Sequence, residues 1–263
     1  MKNNNLIKIF LFIILILILF LFIRQTNKKS TLDPNLSNPT APDKPSSIRI
    51  ATNLQNENIV DTLNKYANAD DIIEVRAREV NKLNSIKIGK PLLIYGKNDD
   101  QQESFKTAIL NNIKIIGYNL EDARISKDEL VNKEKEAYEV AKENGLFYVF
   151  APLAIHAEKY GAELGQNADA VVIQLRNYQL MDNFSEKVKE MSENIKMNNK
   201  NVEVWVQLDI NARIPGEQDA RKKLTSDELI KQIEQIDEYV DLISLYYPPS
   251  DPDVVIDVIT QIR

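Results

Sequence analysis

The chain has 263 residues, 43% of them hydrophobic and 27% charged, with a formal net charge of −6, no cysteine and a single histidine, His156. This is a globular mixture, with no basic stripe of the kind that nucleic acid binding requires. The lack of cysteine excludes disulfides, thiolate metal sites and a cysteine nucleophile. One histidine argues against a Ser-His-Asp triad or a His-rich metal centre, so neither metal nor cofactor is expected.

Leu6–Ile23 (LIKIFLFIILILILFLFI) is an apolar run broken only by Lys8 near its start. As a helix it spans roughly 27 Å, close to a bilayer core, and Lys8 reaches the interface by snorkelling. The residues after it, Arg24-Gln25-Thr26-Asn27, offer no small-residue cleavage site. The reading is therefore a single-pass membrane anchor over residues 1–24 rather than a removed signal peptide. Arg24, Lys28 and Lys29 follow the run and Lys2 and Lys8 precede or open it. By charge alone, the C-terminal side stays in the cytoplasm. Residues 25–46 contain Pro34, Pro39, Pro42 and Pro45 among Ser, Thr and Asn. They have no apolar periodicity and read as a disordered tether.

From residue 47 to 263, short apolar runs alternate with amphipathic stretches. Strands are predicted at about 47–53, 72–76, 91–95, 113–120, 146–151, 169–175, 202–210 and 241–247, all rich in β-branched and aromatic residues. Helical patterns cover 127–144, 186–197, 226–239 and 252–262. Ser126 with Glu129 makes a capping-box pattern. Ser226, followed by Leu229, Ile230, Ile233 and Ile236, opens a helix with one apolar face. Eight strands with intervening helices predict a parallel sheet closed as a (β/α)8 barrel of the TIM type. The short interval between the second and third strands leaves a short helix there, or none. The alternative is an open doubly wound parallel sheet. No GxGxxG or GxxxxGK run occurs among the seven glycines, which argues against nucleotide binding.

Barrel chemistry sits where strands exit at their C-terminal ends. Period-2 alternation puts Gly117, Asn119 and Glu121 on one side of the fourth strand. It puts Gln174 and Arg176 inside the sixth, and Trp205, Gln207 and Asp209 inside the seventh, with Val204, Val206, Leu208 and Ile210 facing the helices. An inward row of polar groups is costly unless it serves a ligand or a closed polar network. The network reading pairs Arg176 with Glu121 or Asp209. The ligand reading makes a substrate cup from Asn119, Gln174, Arg176, Gln207 and Asn211, with Tyr118, Tyr178, Trp205 and Tyr246 stacking on sugar faces. Glu121 and Asp209 then form the carboxylate pair of a glycoside hydrolase. Asp122 competes with Glu121, and Glu74 is a further acid. His156 follows the fifth strand and reads as a residue on a helix surface.

The run Ile116–Glu121, then Phe147–Pro152, Ala168–Gln174 with Gln179, Trp205–Asn211 and Tyr246-Tyr247-Pro248 resembles a group of uncharacterised exported bacterial proteins with a glycoside-hydrolase-like barrel. That group carries Tyr-Asp-x-Glu on the fourth strand, where this chain has Asn119. The resemblance covers about residues 110–263. It implies an extracytoplasmic, membrane-anchored barrel acting on a cell-surface or environmental glycan. In the broader retaining glycosidases, the acid/base follows the fourth strand and the nucleophile, usually Glu, ends the seventh. By that likeness Glu121 is acid/base and Asp209 nucleophile. The alternative is a non-catalytic barrel that binds a glycan or an envelope partner.

Overall fold

The computed structural model describes residues 48–217 and 219–263. The apolar run Leu6–Ile23 and the proline-rich stretch 25–46 lie outside the described residues. Among the described residues, no helix is long and apolar enough to cross a membrane.

Eight parallel strands close into a barrel. They are β1 (Arg49–Asn53), β2 (Ile72–Val75), β3 (Lys90–Gly96), β4 (Ile115–Leu120), β5 (Phe147–Pro152), β6 (Ala170–Gln174), β7 (Glu203–Asp209) and β10 (Leu242–Tyr246). Their order around the barrel is β1-β10-β7-β6-β5-β4-β3-β2. Every neighbouring pair is parallel, and β1 hydrogen-bonds both β2 and β10. The sheet therefore has no edge, which separates it from the open doubly wound alternative. All eight predicted strands are present.

Helices α1 (Asn58–Tyr66), α2 (Gln101–Leu110), α3 (Lys127–Glu143), α4 (Ala154–Leu164), α5 (Phe184–Ile195), α6 (Ser226–Ile236) and α7 (Asp253–Ile262) surround it. Between β2 and β3 the connection is a 3₁₀ segment, Ala77–Ser85, which buries no residue fully. That matches the short interval in the sequence. Ser126 accepts a hydrogen bond from the Glu129 amide at the start of α3. α6 starts at Ser226, as its sequence pattern suggested, but Ser226 is its first residue and not its cap. Thr225, in an extended conformation, is the cap and forms a full capping box with Glu228.

Alternation along the strands divides the apolar residues into two layers. Ile73, Leu93, Ile116, Phe150, Val171, Val206 and Leu245 face outward into the layer between barrel and helices. Ile72, Leu92, Ile115, Val149, Val172, Trp205 and Leu242 fill the barrel's interior. Each large apolar side chain buried this way contributes on the order of 1.5–3 kcal/mol. The interior is apolar only in its lower part. One position nearer the C-terminal end, the inward residues become Asn53, Glu74, Asn119, Gln174, Gln207 and Ser244. This switch is what creates a site.

The chain also folds a feature that the strand pattern did not reveal. After β7 it forms a two-stranded antiparallel ribbon, β8 (Asn211–Arg213) with β9 (Arg221–Lys223). The ribbon takes up Asn211, which the sequence reading had placed in the substrate cup just beyond the seventh strand.

Candidate functional site

A cavity of about 710 Å³ opens at the C-terminal end of the barrel. This is the end at which barrel enzymes carry their chemistry. Its floor is Trp205, a barrel-interior residue that is 1% exposed. The indole stacks over Phe147 from the layer below, with centroids 6.3 Å apart and planes 15° from parallel. Its Nε1 donates to Glu203 at 2.7 Å. The polar edge is thus satisfied within the protein, and the ring is held as a fixed apolar surface at the base of the cup.

Above that floor the walls are polar. Gln174 on β6 donates from Nε2 to Asn119 Oδ1 at 3.1 Å, and Asn119 on β4 donates from Nδ2 to Glu121 Oε1 at 3.0 Å. Gln174 also donates to the Ala151 carbonyl on the intervening strand β5. This relay crosses three neighbouring strands and fixes the orientation of the Glu121 carboxyl. Asp122 is removed from the competition. It accepts from the Arg124 amide and from Lys97, which hold its carboxyl below the usual range. It does not line the cavity.

On the opposite wall Glu74 of β2 is partly buried and accepts from the Ser244 hydroxyl at 2.9 Å. Burial raises its carboxyl above the usual range, more than the Ser244 hydrogen bond and the charge of Arg76 lower it. Burial therefore favours the protonated form of Glu74.

Most of the residues proposed from sequence meet in this one cavity: Glu121, Asn119, Gln174, Gln207, Arg176, Tyr246, Trp205, Tyr178 and Tyr118. Tyr118 reaches it only by an edge. Its ring belongs to the outer layer, stacked on Tyr95 at 4.7 Å with planes 6° apart, because residue 118 alternates with the inward 117 and 119. Tyr178 has its hydroxyl committed to Glu158 at 2.9 Å.

Two proposed residues do not join the cavity. Asp209 is not among the lining residues; its side chain is 5% exposed and both its oxygens are engaged. Oδ2 accepts from Arg176 Nε at 2.7 Å, and Oδ1 from the Asn211 amide at 2.8 Å. The backbone of Asp209 is clamped by buried Gln179, which accepts from its amide and donates to its carbonyl. Gln179 in turn exchanges hydrogen bonds with Gln232 on α6. This is the closed polar network that the inward row of residues also allowed. Asn211 contributes its backbone to that network and sits in the ribbon, outside the lining. His156 is buried in α4, near Tyr160, and is neither a surface residue nor a wall of the cup.

The sequence reading missed Asn53, Gln55, Arg76, Glu79 and Arg213, which also line the cavity. Asn53 was reachable by extending the alternation rule to β1. Arg213 was not, since nothing in the sequence announced the ribbon. No lysine lines the cavity. Among the described residues no group of three or more His, Asp or Glu is disposed to hold a metal ion.

No protein-family model and no curated protein matches this sequence. Solved structures with the same fold do exist. The spore cortex-lytic enzyme SleL of Bacillus megaterium QM B1551 superposes with a TM-score of 0.57 at 10% identity, over 89% of this chain and 77% of that one. An archaeal fructose-1,6-bisphosphate aldolase, with its catalytic Lys bound to the carbinolamine intermediate, gives 0.53 at 14% identity, over 82% and 93%. A Schiff-base-forming fructose-1,6-bisphosphate aldolase gives 0.52 at 13%, over 82% and 94%. At such identities the likeness is one of fold, an eight-stranded parallel barrel ringed by helices, and barrels of this kind host many chemistries.

Proposed function

We propose that this chain is a glycan-acting barrel, held at a membrane by Leu6–Ile23 with its folded domain outside the cytoplasm, in which Glu121 gives a proton to the oxygen of a glycosidic bond. The observation that carries the reading is the Gln174–Asn119–Glu121 relay standing over the Trp205 floor. A flat aromatic base beside amide side chains suits a sugar, which offers an apolar ring face and a rim of hydroxyls. A carboxyl fixed by a neighbouring amide is held ready to meet one oxygen of that sugar. The cavity volume falls in the range of small-molecule sites.

The second catalytic group is not Asp209 in this proposal. A nucleophile needs a free lone pair aimed at the sugar, and both Asp209 oxygens are engaged elsewhere. Two routes remain. Glu74, on another wall, serves once it has given up the proton that its burial favours, or the sugar's own acetamido oxygen serves as the nucleophile, as in substrate-assisted glycosidases. The second route fits the cortex-lytic activity named for the SleL barrel. The Schiff-base chemistry named for the aldolases requires a lysine, and the lining has none.

The engagement of Asp209 also favours a second reading, a barrel that binds a glycan or envelope partner without cleaving it. One experiment separates the two. The full chain in detergent is offered a panel of oligosaccharides, including 2-acetamido glycans, with thermal shift and product release both recorded. Glu121→Gln should keep the ligand-induced shift and lose product by at least about a hundredfold. A shift without product from the wild type selects the binding reading. Product that survives Glu121→Gln removes Glu121 from the chemistry.

A further inference from the structure

Three guanidinium groups line the cavity, and the reading above uses none of them. Arg76 lies 3.7 Å from Asp99. Arg176 commits its Nε to Asp209, which leaves the two terminal nitrogens of a side chain that is 37% exposed. Arg213 makes no ion pair or side-chain hydrogen bond to any described residue, although its Nε is buried. A buried donor without an acceptor is expensive.

The ribbon compounds that cost. Arg213 on β8 lies directly across from Arg221 on β9. Residues directly opposite in an antiparallel pair share a face, and like charges there repel. Their neighbours in the ribbon are neutralised, Lys222 by Glu228 and Lys223 by Asp251, whereas Arg221 makes no ion pair with a described residue. β8 packs against the short 3₁₀ turn Leu175–Asn177 that carries Arg176. The loops after β6 and β7 thus bring Arg176, whose Nε alone is taken by Asp209, together with Arg213, which has no ion pair to a described residue, at one side of the mouth.

The acids lie elsewhere. Glu74 and Glu79 line the cavity from β2 and the segment after it, and Glu121 from the end of β4. Around the barrel, β2 and β4 flank β3, while β6 and β7 are neighbours on another arc. Arg176 and Arg213 thus stand on a different arc from the carboxyls, whereas Arg76 lies beside Glu74 and Glu79 and pairs with Asp99.

We propose that Arg176 and Arg213, reinforced by the charge of Arg221, form a subsite for the carboxylate or sulfate group of an acidic sugar, so that the glycan taken by this barrel is anionic. Planar guanidinium forks match the paired oxygens of such groups, and a bound anion supplies the acceptor that Arg213 lacks and relieves the repulsion from Arg221. The proposal rests on the glycan reading and narrows its substrate class.

Calorimetric titration of the full chain in detergent tests it. The probes are trigalacturonate, its carboxyl-reduced neutral form, and a chondroitin sulfate tetrasaccharide to separate sulfate from carboxylate. Trigalacturonate or the sulfated sugar should bind at least about tenfold tighter than the neutral one, a difference of about 1.4 kcal/mol. The preference should shrink as salt is raised. Arg213→Gln should abolish it while leaving the melting temperature of the free protein unchanged or higher. Equal affinity for charged and neutral sugars, or an undiminished preference in Arg213→Gln, overturns the subsite. If no oligosaccharide binds but sulfate ion raises the melting temperature of the wild type and not of Arg213→Gln, the subsite stands and the glycan reading fails. If sulfate has no such effect either, both fail.

Discussion

Glu134 shows how far a single side chain can depart from its setting. It lies on α3 in line with Leu130, Ala137 and Ala141, the residues that turn toward the barrel. It is fully buried, and neither carboxyl oxygen has a hydrogen-bond partner among the described residues; the same is true of the hydroxyls of Tyr95 and Tyr148 in that layer. Burial pushes the Glu134 carboxyl well above the usual range. Since the folded value exceeds the unfolded one, the folded state holds this proton more tightly. The group's contribution to stability is complete below the unfolded value and is lost as pH rises from there through the folded value. Glu134→Leu should therefore be more stable than the wild type at pH 7–8, by about 1–3 kcal/mol, and the gain should shrink toward pH 4. Thermal melts of both proteins between pH 4 and 8 give the answer. A difference that does not vary with pH would show that Glu134 is not held neutral. In the sequence this residue was one of 39 acids, and the helical pattern around it did not mark it as a core position.

At the scale of elements, the exit of β7 is decisive. Alternation along 203–209 assigned Trp205, Gln207 and Asp209 to the barrel interior, and the first two do line the cavity. Asp209 is drawn off by partners from three other elements: Arg176 after β6, Asn211 at the start of β8, and Gln179, which is anchored by α6. The pairings with Arg176 and Gln179, across 33 and 30 residues, leave no local trace, so a carboxylate at a strand end reads alike whether it is a nucleophile or a fastener. Asp209→Asn distinguishes these roles. A fastener that loses its charge leaves Arg176 without its counter-ion and should cost about 1–3 kcal/mol, seen as a melting point several degrees lower, with affinity for a neutral glycan changed little. A folded protein of unchanged melting point but without product would restore Asp209 as a catalytic residue.

For the whole molecule, closure is secured at the end of the barrel opposite the cavity. Asp71, just before β2, accepts from the Ile50 and Asn68 amides and pairs with Arg263 at 2.6 Å, with both side chains about 5% exposed or less. It therefore joins β1, β2 and the residue following α7. Nearby, Arg49 of β1 bonds Glu203 of β7 across the strand between them. Asp71→Ala breaks the buried pair with Arg263 and takes the acceptor from the Ile50 and Asn68 amides as well, so it should cost about 3–5 kcal/mol. Urea unfolding should show the midpoint falling with little change in slope. A loss below about 1 kcal/mol would mean that the strand hydrogen bonds close the barrel without help from this pair.

What the sequence determined by itself was the number and order of the strands and several of the inward polar residues of the cup. Strand number, the helices near 127–144, 186–197, 226–239 and 252–262, and the inward placement of Asn119, Gln174, Gln207 and Trp205 follow from periodicity, which is a local property of the backbone repeated along each element. What only the tertiary structure decided was which polar groups remain free. Asp209 is consumed by a network, Tyr118 turns into the outer layer, Glu74 is desolvated against Ser244, and Arg213 is carried to the mouth by a ribbon that no pattern announced. Those outcomes depend on partners far away in sequence, and a residue's chemistry is set by the neighbours that folding brings to it.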